Sequence, residues 1–307
     1  MAARRVLITG ASGFIGSALA RDLVSSGYEV VALTRNVLTS RDRFPEGIAW
    51  QLWDGRTASG WGRLADGALA IINLAGDNLA EGRWTRAKKA RILLSRTEAG
   101  AAVVEAVREA VIRPKVVIQA SAVGAYGGRE DEELDEASAA GAGFLAGVVA
   151  QWEDSTKEVE GLGVRRAVVR SGLVFGQGGG VWPRLVMPFK YFAGGPLGRG
   201  IQWFSWISLE DEVRSVRFLL EREGLCGVFN LTAPRPLRQK DLCRVLGRSL
   251  KRPCWLPAPA FVLKILFGKK AEETLLAGQR VIPRRLLEAG FDFRYPDAET
   301  AIAALLK

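Results

Sequence analysis

The feature that most limits what this chain can become lies in its first 35 residues. Arg5-Val6-Leu7-Ile8-Thr9 is an apolar run of strand length, and Gly10-Ala11-Ser12-Gly13-Phe14-Ile15-Gly16 follows it directly. After the glycines, Ala18, Leu19, Leu23 and Val24 recur at helical spacing as far as Gly27, and Tyr28-Glu29-Val30-Val31-Ala32-Leu33 reads as a second buried strand. Strands without polar alternation are covered on both faces, and two of them joined through a helix run parallel. Gly10 permits the tight turn, and Gly13 lets the backbone approach a pyrophosphate favoured by open N–H groups at the helix start. Gly16 lets helix and strand pack closely. Placed one element after a strand, this spacing points to a dinucleotide. Arg4-Arg5 ahead of the same apolar stretch has the outline of a secretion signal, but three internal glycines suit the turn instead.

The alternation continues. Residues 48–53, 68–74, 115–120 and 164–170 read as strands, and 84–111 and 144–161 as helices, with Pro114 as a stop just beyond the first helix. The expected fold is therefore α/β, a Rossmann-type doubly wound parallel sheet over residues 1–176 that binds the nucleotide. After Gly176 the texture changes. Gly178-Gly179-Gly180 and Gly194-Gly195-Pro196 punctuate a loop-rich region with Trp182, Trp203, Phe204 and Trp206 around it. A helix over 209–221 and a strand over 227–231 return residues 205–232 to the first domain. Residues 177–204 and 233–307, with helices over 241–250 and 259–267, form a smaller substrate-binding lobe.

The second strand chooses the dinucleotide. Sites for NAD usually place a carboxylate at its end to hold the ribose 2′-hydroxyl. Here the strand ends Leu33-Thr34-Arg35-Asn36, with no carboxylate. Arg35 can pair with a 2′-phosphate through a bidentate contact, with Arg41 and Arg43 nearby, so NADP(H) is expected over NAD(H). The net charge of +10, from 43 Lys and Arg against 33 Asp and Glu, is dispersed along the sequence, which favours a phosphate-bearing small ligand over nucleic acid. No apolar run approaches the length of a span, and a membrane is not expected as a partner. Three cysteines without a CxxC pair argue against disulfides and structural zinc, and point to a reducing, cytoplasmic setting; no metal site is expected.

These residues resemble the extended short-chain dehydrogenase/reductases. The likeness rests on Thr9-Gly10-x-x-Gly13-x-x-Gly16, on Asn73-Leu74-Ala75-Gly76 after the fourth strand, and on Ser121 after the fifth. It is strongest toward the atypical epimerase branch of the NAD-dependent epimerase/dehydratase superfamily. Trp53-Asp54, Arg83-Trp84, Ser95-Arg96 and the stretch Ser121 to Gly127 carry that likeness, together with Arg170 to Gly180, Gly194 to Gly198, Gln202 to Ile207 and Gly278 to Pro283. The resemblance implies roles. Ser12, Phe14 and Ile15 join the three glycines around the cofactor, and Thr34, Arg35 and Asn36 follow the second strand. Trp53 and Asp54 lie by the adenine, with Asp54 on its amino group. Leu74, Ala75 and Gly76 line the ribose-phosphate path. Ser121 lies near the nicotinamide, flanked by the backbone from Leu173 to Gly176, and Trp203, Phe204 and Trp206 lie near the cleft of the closing lobe.

The chain departs from the family where the chemistry should be. Most members carry Tyr-x-x-x-Lys, whose ammonium lowers the tyrosine pKa so that it can exchange a proton with a substrate oxygen. The matching helix here begins Phe144-Leu145-Ala146-Gly147-Val148, and histidine is absent from the whole chain. The remaining protic candidates are Ser121 and Tyr126, on the loop after the fifth strand, while Lys88 and Arg91 read as solvated. Tyr126 fits either a donor or a packing tyrosine. Three readings follow: an NADP(H)-dependent oxidoreductase or epimerase-like enzyme of unread substrate, a catalytically silent NADP(H)-binding regulatory or sensor protein, and, least favoured, a nucleic-acid binder.

Overall fold

The computed structural model describes residues 4–37 and 47–306. Strands β1 (Arg5–Thr9), β2 (Glu29–Thr34), β3 (Ile48–Leu52), β4 (Ala70–Asn73) and β5 (Val116–Ala122) belong to one sheet. Beyond β6 (Glu133–Leu134), β7 (Arg165–Ser171) joins the same sheet. It is followed by β8 (Leu173–Phe175), β9 (Trp203–Phe204) and β10 (Trp206–Ser208), which lie outside it. β11 (Gly227–Leu231) is the last strand of the main sheet, and the chain continues through β12 (Leu237–Arg238) and β13 (Arg280–Val281). The seven-stranded sheet has the order β11-β7-β5-β4-β1-β2-β3, with every pair parallel. The chain winds outward from β1 through β2 to β3, then crosses back to β4. The crevice at the carboxyl ends of β1 and β4 is thus the point where winding reverses, and there such sheets bind ligands.

Along β1 the side chains alternate between two cores. Val6 and Ile8 face helix α1 (Phe14–Ser25), meeting Leu19 and Leu23, while Leu7 faces α2 (Arg86–Glu109) with Val103 and Val107. Both faces are dry, as an unalternating strand requires. The helix expected over 144–161 divides into α3 (Phe144–Asp154) and α4 (Glu158–Gly161). Ser155 turns its hydroxyl back to the Trp152 carbonyl at 2.6 Å, and a Cβ on Gly100 of α2 would lie 1.9 Å from that hydroxyl. The break is where two helices cross with no room for a side chain.

The lobe has a core of its own. The region expected to be loop-rich contains α5 (Trp182–Lys190), which opens with Pro183 in its first turn, where a missing N–H is harmless. Helices α6 (Leu209–Glu221) and α7 (Gln239–Leu250) follow, then α8 (Ala260–Phe267), α9 (Arg284–Glu288) and α10 (Ala298–Leu305). Trp182, Phe189, Phe204 and Trp206 pack with Leu242, Leu246 and Ile302. Trp206 and Phe204, implied by the resemblance to lie near the cleft, are buried here as core, with Trp206 stacked on Phe175 at 5.2 Å between centroids, while Trp203 is only partly buried. Leu286, Phe291 and Phe293, from the stretch expected in the lobe, pack instead in the core of the main sheet. Asp211 ties the two regions: it is fully buried on α6 and accepts the backbone N–H groups of Arg294 and Tyr295 at 2.9 Å each.

Candidate functional site

The carboxyl ends of β1 to β4 and one face of α2 enclose a groove of about 820 Å³, within the range of cofactor sites. Its floor is backbone. Gly10 has φ +69°, and a Cβ there would meet the Leu74 carbonyl carbon and oxygen at 2.8 Å. A Cβ on Gly16 would lie 2.3 Å from the Gly10 oxygen, which is the close packing the spacing anticipated. Gly13 caps α1 without a side-chain bond, and no acidic residue occupies the first turn. The positive end of the helix, with its unsatisfied N–H groups, is therefore open to an anion. Thr9 fixes the facing loop: its hydroxyl donates to Asn73 Oδ1 at 2.6 Å and accepts from the N–H groups of Leu74 and Ala75 at 3.1 and 3.2 Å. Asn73 in turn donates to Gln119 at 2.9 Å, so a buried polar row across three strands sets the path from Leu74 to Gly76.

At one end the groove is lined by Thr34, Arg35, Trp53, Asp54, Gly55 and Arg56. Arg35 is exposed, and no carboxylate among the described residues pairs with it. Gly55 has φ +85°, and its Cβ position is 3.7 Å from the Arg35 Cδ, so the turn and the arginine stem lie side by side. Asp54 is committed to that turn. Its carboxylate accepts from the N–H groups of Arg56 and Thr57 at 2.7 and 2.9 Å and from the Thr57 hydroxyl at 2.7 Å. Trp53 is buried and donates to the Thr57 carbonyl at 2.8 Å. Arg56, which sequence reasoning missed, brings a second exposed guanidinium, held 3.3 Å from Glu98. Arg41 and Arg43 lie outside the described residues.

The α2 wall holds groups that the sequence did not disclose. Lys88, expected to be solvated, is buried, with Nζ 2.8 Å from Asp77; Arg91 is mostly exposed, as expected. Burial raises the Asp77 carboxyl, but Lys88 and Arg91 outweigh it and hold the group below its ordinary value. The Asp77 N–H donates to Ser95 at 2.9 Å. Arg96 lies beneath the floor: a Cβ on Gly76 would come within 3.0 Å of its guanidinium. Burial pushes that group down to about 10; it donates to the carbonyls of Ile92 and Asp77 and stacks on Trp152 at 4.7 Å. The adjacent pairs Gly76-Asp77 and Ser95-Arg96 were the available signal, but nothing local says that Lys88 turns inward to meet them.

Of the expected cofactor residues, Gly10, Ser12, Gly13, Thr34, Arg35, Trp53, Asp54, Leu74, Ala75 and Gly76 line the groove. Phe14, Ile15, Gly16, Asn36, Leu173 and Gly176 do not line it. The Phe14 ring is wedged against Gly176, Gly179 and Gly180, where added Cβ atoms would come within 2.6–2.9 Å of it. The glycine run thus makes room for an aromatic ring.

The two catalytic candidates do not reach the groove. Ser121 is buried and donates to Glu153 at 2.5 Å; Glu153 is clamped by Arg170 through two contacts of 2.8 and 2.9 Å. Tyr126 has no exposed surface. Its hydroxyl donates to Asn230 Oδ1 at 2.7 Å, the Arg170 guanidinium lies 4.9 Å over its ring, and burial pushes the phenol above its ordinary value. Where the usual tyrosine would start its helix, the Phe144 ring packs edge-on to Trp84 at 5.2 Å under Lys89. Glu273 from the lobe accepts the N–H groups of Phe144 and Leu145 at 3.3 and 2.9 Å. Val148, at the lysine position, is buried.

The sequence model of the NAD dependent epimerase/dehydratase family matches residues 6–231, the whole span that builds the sheet and the groove. The chain belongs to this family. Within the family its likeness is specific. It is 38% identical to the chloroplastic SDR39U1 homolog of Arabidopsis thaliana, an epimerase family protein, over 98% of this chain and 86% of that one. Identity to the epimerase family protein YfhF of Bacillus subtilis is 34% over 98% of this chain and 97% of the relative. The crystal structure of human epimerase family protein SDR39U1 (isoform 2) with NADPH superposes with a TM-score of 0.89 at 32% identity, covering 98% of each chain. A domain of unknown function, DUF1731, matches residues 258–305, which contribute both to the lobe core and to the core of the main sheet. The family's fold, a Rossmann-like parallel sheet with flanking helices, is the one expected from the first 35 residues.

Proposed function

We propose that this family member binds NADP(H) in preference to NAD(H) and acts as an oxidoreductase or epimerase-like enzyme that works without a Tyr–Lys pair. The observation that carries the cofactor preference is Arg35 at the end of β2, lining the groove where a carboxylate would otherwise stand, with Arg56 on the neighbouring turn. Two guanidiniums beside an open helix N-terminus suit a 2′-phosphate and a pyrophosphate together. The human relative described with NADPH supports this choice. Bound there, the cofactor would supply hydride chemistry. Gly10, Gly13 and Gly76 admit its backbone, Thr9 holds the facing loop, and Arg35 and Arg56 balance its charge.

The proton route is the weak point of an enzyme reading. Ser121 and Tyr126 remain the hydroxyls nearest in chain position to the family's site, yet both are hydrogen-bonded in a buried network, which favours water or a groove side chain as the proton carrier. The same observation favours a second reading, an NADP(H)-binding regulatory protein without turnover, in which lobe and groove change together when the cofactor binds. Titration of the protein with NADPH and NADH tests the preference, and tighter NADPH binding is expected. Steady NADPH oxidation across a panel of carbonyl substrates separates the two functional readings: turnover supports the enzyme, and its absence across the panel supports the regulator.

A further inference from the structure

Nine of the sixteen large apolar side chains exposed among the described residues fall in two short segments of the lobe. Met187, Tyr191 and Phe192 come from α5 and the residues just after it; Trp255 and Leu256 precede α8. Phe261, Ile265, Leu266 and Phe267 belong to α8, whose sequence Ala-Phe-Val-Leu-Lys-Ile-Leu-Phe buries only Leu263. The loop after α5 and the stretch leading into α8 are tied together. Trp255 Nε1 donates to the Phe192 carbonyl at 3.1 Å, the N–H groups of Trp255 and Leu256 both reach the Gly194 carbonyl, and Leu197 bridges to Ala258.

The charge on this surface is one-sided. Residues 181–200 and 251–270 carry eight cations, including Lys190, Arg252, Lys264 and Lys269, and not one Asp or Glu, in a chain whose net charge is +10. Arg252 lies 4.4 Å over the Phe192 ring, so cation and aromatic face are already joined. Lys264 is paired with Glu272 from outside the two segments.

We propose that this face of the lobe binds the surface of an anionic lipid bilayer, with α8, Trp255 and Tyr191 seated among the headgroups and the cations against lipid phosphates. Three observations select this occupant. Even leaving aside Lys264, paired with Glu272, and Lys270, whose ammonium donates to the carbonyls of Ala80 and Gly82, a second copy of the chain would set like charge against like. Ile265 and Leu266, at 69% and 55% exposure, protrude, and aliphatic side chains offer a nucleic acid neither a charge nor a stacking face. Aromatic and aliphatic residues ringed by Lys and Arg on a short helix are the composition of an interfacial element. Among the described residues no helix is long and apolar enough to cross a membrane, so the contact is peripheral. The sequence reading, which weighed only spans, expected no membrane partner; an eight-residue helix lying in the interface escapes that test.

The test uses the full chain and vesicles of phosphatidylcholine alone or with about one-third phosphatidylglycerol, at about 0.05 M and about 0.5 M salt. Sedimentation is expected with the anionic vesicles only, falling at least roughly tenfold at the higher salt. The double variant Ile265→Asp/Leu266→Asp is expected to lose that binding by at least roughly tenfold, with circular dichroism and NADPH affinity unchanged. Lys264→Glu/Lys269→Glu is expected to weaken it with the same controls. No binding by the unaltered chain, or equal binding by the variants, overturns the proposal. So does a concentration-dependent dimer, or a salt-sensitive complex with an oligonucleotide, that forms without any affinity for vesicles.

Discussion

Along the carboxyl edge of one sheet, β1 and β4 open onto the groove, whereas β5 and β7 close onto a buried network of Ser121, Glu153, Arg170, Tyr126 and Asn230. In the groove the working parts are absences: no Cβ at Gly10, Gly13 or Gly16, no cap on α1, no carboxylate after β2. In the network every hydroxyl already has a partner. In the function proposed here, holding a dinucleotide and moving a proton fall to separate regions of the fold. The chain keeps the backbone geometry for the first while the side chains usually used for the second are replaced or locked.

The largest effect expected from breaking this contrast is at the groove floor. In Gly16→Val the new side chain would meet the Gly10 carbonyl, whose oxygen lies 2.3 Å from the Cβ position. Nothing there yields without moving the turn. Cofactor binding is expected to fall by at least about a hundredfold, roughly 2.7 kcal/mol, by calorimetric titration.

A second effect falls on stability rather than on cofactor binding. Glu212 on α6 is buried; Ser171 donates to it at 2.5 Å and its second oxygen has no hydrogen-bond partner. Burial pushes its carboxyl up to about 8 from an ordinary 4.5. The folded chain therefore holds a proton there that the unfolded chain has released, and stability falls as pH rises from about 4.5 towards about 8. The contribution is on the order of 1.4 kcal/mol per pH unit within that window. Urea denaturation of Glu212→Gln at pH values across the window is expected to show a flatter profile than the unaltered protein; an unchanged slope would mean that Glu212 titrates normally.

A smaller effect is expected in Tyr126→Phe. Losing the bond to Asn230 inside the core should reduce stability by about 1–2 kcal/mol in denaturant titration and leave NADPH affinity unchanged. Weaker cofactor binding in this variant would merge the two regions into one site.

What was legible in the sequence follows from how local each device is. The turn from Gly10 to Gly16 and the missing carboxylate after Leu33 are written in consecutive residues, and the parallel sheet follows from unalternating strands. The α2 wall was not legible, because Thr85-Arg86-Ala87-Lys88-Lys89 has the pattern of a solvated face and only Asp77, arriving from the end of β4, turns Lys88 inward. Glu153 was passed over for a similar reason: its partners Ser121 and Arg170 come from neighbouring strands, far along the chain. The family resemblance implied Trp206 and Phe204 near the cleft, yet β10 pairs with β8 and stacks Trp206 on Phe175 in the lobe core. Helix α5 was hidden by the glycines on both sides and by Pro188 within it.

The proposed preference for NADP(H) rests on Arg35, and the most direct measurement is the ratio of NADH to NADPH dissociation constants in the unaltered chain and in Arg35→Asp. A ratio well above one, collapsing by roughly tenfold or more in the variant through loss of NADPH affinity alone, is the predicted result. Equal affinities in the unaltered chain, or an unchanged ratio in Arg35→Asp, would contradict it.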